Sequence, residues 1–313
     1  MVKSLALQKE LGEEFGACVF DVTFDLEDGA PVGGERDHAQ MVAELARASG
    51  SAAGAFRHRV AVRLHPADHP CFAQDAELVL GQVAGSLCHV MLPKVESVGQ
   101  LDEALAAMDP FLKKGGAADL PIHILVESAH AISQVHNLAA HPRVQSISFG
   151  LMDFVSSHGG AIPATAMNCV TDDSSNEPDQ FSHPVVVRAK LEISAACHAS
   201  AKVPAHGVVT EFKHPEVIRL AARRASRTLG FTRMWSIHPD QIRPILVGMS
   251  PEREEVQIAS DIICAAHEAK WAPIAFQGRL QDRASYRYYW QVLERAQRTG
   301  QLPRSTAARS FFQ

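Results

Sequence analysis

The sequence predicts an α/β fold on a parallel sheet, from three observations. Short apolar runs rich in Val, Ile and Phe alternate with longer amphipathic stretches, the pattern of buried strands joined by crossover helices. Seven such runs occur in 313 residues, a length that α/β barrels fill as one domain. Hydrophobic residues make up 46% and charged residues 21%, enough apolar side chain for one large core and too little charge for a disordered chain.

MVKSLALQKELGEEFG (1–16) reads as helix. The apolar runs are ACVFDVTFD (17–25), RVAVRL (59–64), LCHVML (87–92), IHILV (122–126), QSISF (145–149), VPAHGVV (203–209) and FTRMWSI (231–237). Between them stand helical patterns: HAQMVAELARAS, SVGQLDEALAAM, AHAISQVHNLAA, SHPVVVRAKLEISAACHAS and HPEVIRLAARRASRTL. The count falls one short of a (β/α)8 barrel, so the expected barrel lacks its first strand. TDDSSNEPDQ (171–180) is a loop by composition. Beyond residue 250, PEREEVQIASDIICAAHEAKW is helix, AFQGRLQDRAS (275–285) a polar loop and YRYYWQVLERAQRTG a second helix. Residues 1–250 are therefore expected to form the barrel and 251–313 a helical appendage.

Thirty Lys plus Arg against thirty-five Asp plus Glu give a net charge of −5 with no basic stripe, which argues against a nucleic-acid partner. The apolar stretches break within about ten residues, against roughly twenty needed to span a bilayer. No signal-peptide core develops in MVKSLALQKE, so the expected compartment is the cytoplasm. Six cysteines without a CxxC read as reduced packing residues. Among the sixteen histidines, His123, His130, His136 and His141 follow no metal-ligand spacing and read mostly as helix surface or turn. No glycine-rich phosphate loop follows a strand.

The chemistry gathers where the runs end. VFDVTFD leads into Glu27 and Asp28, VAVR ends at Arg63, VMLP at Lys94, IHILV at Glu127 and SISFGLM at Asp153. In a parallel barrel these ends share the face where active sites sit, and five in succession favour a common site over five solvated strand ends. Glu127 and Asp153, on adjacent strands, suit Mg²⁺, which prefers oxygen ligands. The alternatives are two surface acids or an acid–base pair without metal. Arg63 offers a planar fork for a substrate carboxylate. Lys94 either does the same or neutralises Glu27 or Asp28.

FDLEDG (24–29), VAVRL (60–64), MLPKVES (91–97), ILVESA (124–129), ISFGLMDF (147–154) and SIHPDQI (236–242) stand in the order seen in the citrate lyase beta-subunit-like family. Over roughly residues 18–295 the chain resembles that family, part of the HpcH/HpaI aldolase superfamily with the malyl-CoA and citramalyl-CoA lyases. The resemblance implies a TIM-type barrel with Mg²⁺ held at Glu127 and Asp153. It implies Arg63 on the 2-oxoacid end of the substrate, and Glu27 and Asp28 supporting the metal shell through water. It also implies a C-terminal helical lid that crosses a subunit boundary in a homotrimer or hexamer; RLQDRAS resembles its motif and puts Asp282 near the metal. The activity implied is cleavage of a 3-hydroxyacyl-CoA into acetyl-CoA and a 2-oxoacid, with Asp282 the candidate proton donor to the enolate. The alternatives are a class II pyruvate-type aldolase working without CoA and a noncatalytic subunit of a larger assembly.

The chain departs from the family pattern in four places. His65 stands where relatives read the Asn of VRxN, and Gln277 where they carry Asp before Gly278. Ala205 and His206 replace an acid in the seventh strand, and the initial strand and Pro-containing loop that contact coenzyme A are not evident. These departures bear on substrate and CoA binding more than on the metal site.

Overall fold

Each of the seven apolar runs becomes a strand, and the pairing follows chain order. In the computed structural model, which describes residues 1–29, 31–50, 57–169, 177–303 and 306–312, β1 (Val22–Asp25), β2 (Val60–Arg63), β3 (Leu87–Leu92), β4 (Ile122–Val126), β5 (Val144–Phe149), β6 (Val203–His206) and β7 (Arg233–Met234) form one parallel sheet. Residues 171–176 of the expected loop lie outside the described residues. VAVR and IHILV are buried at every position, as strands covered on both faces must be. Two strands carry an extra residue: the register passes from Val60↔Leu87 to Val62↔Val90, and from Ile122↔Val144 to His123↔Ser146. The sheet curls, so that Arg233 on β7 donates to Asp21, just ahead of β1, at 3.1 Å.

The helices in chain order are α1 (Val2–Phe15), α2 (Glu35–Gly50), α3 (Phe72–Asp75), α4 (Gly81–Val83), α5 (Val98–Lys114), α6 (Ala129–Ala140), α7 (Leu151–Ser156), α8 (Pro184–Ala199), α9 (Pro215–Leu229), α10 (Ile242–Met249), α11 (Arg253–Glu268) and α12 (Arg283–Arg298). Serine starts two of them: Ser97 Oγ accepts from Gln100 N at 3.2 Å and Ser128 Oγ from Ala131 N at 3.0 Å. Gly230, left-handed at φ 77°, ends α9. A turn of π-helix, Ala76–Leu80, joins α3 to α4.

As the count of apolar runs predicts, the described residues form a curled parallel sheet of seven strands, and helix α1, not an initial strand, precedes β1 in the chain. The core of this unit packs Phe24, Phe149, Phe231, Leu64 and Met108 between sheet and helices.

The chain divides into two compact units. Met1–Leu5 and Phe20–Met249 form the first, while Ala6–Val19 joins Ser250–Gln313 in the second. The second has its own core of Val256, Ile262, Ile263, Tyr286 and Leu293. The segment read as a polar loop contains a hairpin, β8 (Ile274–Phe276) and β9 (Arg279–Gln281). Its two-residue turn needs positive φ at both positions, and Gln277 (φ 47°) and Gly278 (φ 74°) supply it. Gln in place of the usual Asn or Asp hides the turn from the sequence. Tyr286 donates to Ala272 O at 2.7 Å and Trp290 packs on Phe311 and Phe312, so these aromatics build this unit's own core. No helix among the described residues is long and apolar enough to cross a membrane.

Candidate active site

Directly paired strands set the first contact of the site. Asp25 ends β1 opposite Arg63 at the end of β2, and the two side chains meet as a fork on a carboxylate. Arg63 Nε donates to Asp25 Oδ1 at 2.7 Å and Nη2 to Oδ2 at 2.6 Å. Nη1 reaches Glu27 Oε2 at 2.6 Å, Nη2 also reaches Asp28 Oδ2 at 2.9 Å, and the guanidinium lies 5.2 Å from the centre of the Trp235 ring. Burial works against the Arg63 charge, but Asp25, with Glu27 and Asp28, more than offsets it and raises the pKa. The fork expected to meet a substrate is therefore spent on Asp25, a residue that sequence reasoning missed. As the last residue of the run VFDVTFD it reads as strand, and only the β1–β2 register reveals its partner.

Lys94 takes the second of its two expected roles: Nζ lies 3.0 Å from Glu27 Oε1. Burial raises the pKa of Glu27, with Arg63 and Lys94 opposing. The Lys94 backbone is left-handed, φ 53°, a strained conformation for a residue with a side chain. In that conformation its N–H donates to Glu127 Oε1 at 2.6 Å.

Glu127 follows β4 and is buried. Gly150, which follows β5, leaves room for it: a Cβ at Gly150 would stand 2.5 Å from both Glu127 Cβ and Oε2. Asp153 lies in the first turn of α7. Burial, and then the charge of Asp153, push the Glu127 carboxyl up to about 8. Both causes favour a proton on Glu127 over a second charge beside Asp153. Two carboxylates whose charges oppose each other, with Glu27 nearby, form an all-oxygen donor set that fits a hard divalent cation.

The five strand-end positions read from the sequence do converge. Asp282 lies in the second unit as the N-cap of α12, where Oδ1 accepts from Ala284 N at 2.9 Å and Ser285 N at 3.4 Å. His130 and His136 lie exposed on α6 and His141 follows its end, as expected, and only His123 of the four departs from helix surface or turn. His123 is a buried β4 residue whose ring nitrogens meet Ser146 Oγ at 2.5 Å and Ser148 Oγ at 2.8 Å. His65 and Asp75 form a buried pair, Nδ1 to Oδ2 2.6 Å. Asp21, Cys88 and His89 bring three potential ligand atoms within 4.8 Å, yet Asp21 already accepts from Arg59 at 2.6 Å and Arg233 at 3.1 Å.

The profile of the HpcH/HpaI aldolase/citrate lyase family matches residues 8–239. The chain belongs to that family. An L-malyl-CoA/beta-methylmalyl-CoA lyase of Cereibacter sphaeroides is 31% identical over 302 residues, 92% of this chain and 91% of the relative. A citrate lyase structure from Burkholderia xenovorans LB400 is 45% identical and superposes with a TM-score of 0.79 over 97% of this chain and 90% of its own. The CitE protein of Mycobacterium tuberculosis, solved with magnesium, acetoacetate and coenzyme A, has the same fold, with a TM-score of 0.67 at 21% identity over 94% of this chain and 95% of its own.

The raised Glu127 pKa gives a signed pH prediction. The folded, metal-free protein binds this proton more tightly than the unfolded chain, so its contribution to stability falls as pH rises from 4.5 to about 8, then levels off. Glu127→Gln removes that loss, and urea unfolding should show the variant gaining on wild type between pH 5 and pH 9. A difference that stays constant across this range contradicts the assignment.

Proposed function

We propose that the chain is a Mg²⁺-dependent carbon–carbon lyase cleaving a 3-hydroxyacyl-CoA of the malyl-CoA or citramalyl-CoA type into acetyl-CoA and a 2-oxoacid. The observation that carries this reading is the meeting of Glu127, Asp153, Glu27 and Arg63 on one set of strand ends, in a chain of this family. Glu127 and Asp153 would hold the ion, with Glu27 and Asp28 behind them. When bound, Mg²⁺ supplies Lewis-acid polarisation of substrate oxygens and offsets the carboxylate charges.

Arg63 holds the substrate carboxylate at the cost of its weakest partner. Asp28 is 78% exposed, an ion pair of little worth in water, whereas Asp25 and Glu27 are far more shielded. A substrate carboxylate replaces Asp28 on Nη2 while Asp25 keeps the guanidinium in place. Lys94 pairs with Glu27, favouring its ionised form against burial, and helps orient Glu127 through its backbone N–H. Asp282, brought by a neighbouring chain of a homotrimer or hexamer, protonates the enolate carbon of the leaving acetyl-CoA.

Thermal unfolding with acetyl-CoA, pyruvate and glyoxylate, each with and without Mg²⁺, tests the reading. Stabilisation by acetyl-CoA and by oxoacid with Mg²⁺ is expected, and Arg63→Lys should weaken the oxoacid effect. Stabilisation by oxoacid alone would instead indicate an aldolase without CoA, and no stabilisation a noncatalytic subunit. Completion of the site in trans is tested by mixing inactive Asp282→Asn chains with inactive Glu127→Gln chains under subunit exchange. Part of the activity should return; a demonstrably mixed oligomer with none recovered contradicts the shared site.

A further inference from the structure

The strand that carries Arg63 also carries a second built group that the mechanism above does not use. Beyond β2 the chain stays in register with its neighbour, Leu64 N donating to Met91 O at 3.1 Å. Leu64 packs into the main apolar core, so Arg63 and His65 project on the opposite face. Residues two apart on an extended chain are separated by roughly 6.5–7 Å, so the imidazole stands within a small substrate's length of the guanidinium.

Asp75, at the end of α3, has no solvent exposure and is committed to His65. Its Oδ2 accepts from His65 N at 3.0 Å and meets His65 Nδ1 at 2.6 Å. Two contacts from one residue to one oxygen fix both the backbone and the ring. A carboxylate at Nδ1 favours hydrogen on that nitrogen, and in the neutral ring this leaves the lone pair on Nε2. Nε2 has no hydrogen-bond partner among the described residues, and Asp75 Oδ1 is buried without one. His69 stacks on the other ring, centroids 4.3 Å apart and planes within 10°. The π-helical turn begins directly after Asp75, a local irregularity frequent at functional sites. A purely structural histidine has no need of a buried carboxylate aimed along its ring with the far nitrogen left open.

We infer that His65, oriented by Asp75, is the group that moves the substrate's hydroxyl proton. This rests on the lyase reading and adds the base that it lacks. In cleavage, Nε2 takes the proton of the 3-hydroxyl. The O–H electron pair becomes the second bond of the 2-oxoacid carbonyl, and the carbon–carbon pair leaves with the acyl-CoA fragment as its enolate. The enolate takes its proton from Asp282; the imidazolium then releases the hydroxyl proton to solvent, from which Asp282 is reprotonated. Condensation runs the same transfers in reverse. His65 is thus a catalytic residue and Asp75 a positioning residue.

The test combines ring-¹⁵N NMR of the full-length protein with turnover of malyl-CoA. The His65 signals, identified by their loss in His65→Gln, should report hydrogen on Nδ1 and shift when Mg²⁺ and oxalate are added. Asp75→Asn should change that tautomer pattern. His65→Gln should lower kcat on the order of 10²–10⁴-fold with little change in KM, the range of a lost general base, while hydrogen exchange at the acetyl-CoA methyl persists. Ring signals unmoved by oxalate, or a His65→Gln kcat within threefold of wild type, would overturn the inference. If wild type cleaves no hydroxyacyl-CoA, the lyase reading fails by itself. The oxalate titration then decides whether His65 faces the site, and it needs no variant to fold beyond the one used for assignment.

Discussion

The strand ends are organised around one unfavourable arrangement: Glu127 is buried with the charge of Asp153 bearing on it. Left alone, two such carboxylates cannot both ionise, and burial magnifies the penalty. The surrounding structure is nonetheless shaped to hold them there. Gly150 gives up a side chain to make room, and Lys94 accepts a left-handed backbone in a conformation that bonds its N–H to Glu127. Local strain and like charges gathered at one spot are the ground for the proposed cation site there.

Arg63 provides the complementary constraint. Asp25, Glu27 and Asp28 face Arg63 and Lys94, three acids against two bases, so this half of the network stays close to balance while Glu127 and Asp153 lie beyond it. Within that half the shielding is graded, from the buried Arg63 to the solvated Asp28. The proposed exchange of Asp28 for a substrate carboxylate rests on this gradient.

The sequence made legible whatever one dimension records. Strand ends are marked by an abrupt change from apolar to charged, so Glu27, Arg63, Lys94, Glu127 and Asp153 could be named before any fold was known. Asp25 was not, because as the last residue of the alternating run VFDVTFD it reads as part of the strand and acquires meaning only from the β1–β2 register. His65 and Asp75 are ten residues apart across an irregular loop and the single turn of α3, neither of which has a periodic signature. The hairpin at Gln277–Gly278 was hidden by an uncommon turn residue, and α10 was read as nothing because eight residues carry too little pattern. The aromatic cluster of α12 builds the core of its own small unit, which composition cannot tell from an exposed interface anchor.

The central claim is that the proton on Glu127 occupies the place of a divalent cation. Calorimetric titration of Mg²⁺ at pH 7, in buffers of different ionisation enthalpy, measures that exchange directly. Wild type should release about one proton per ion bound, because binding requires the deprotonated ligand. Binding without proton release would show that Glu127 is already ionised or is not a ligand, and would contradict the account.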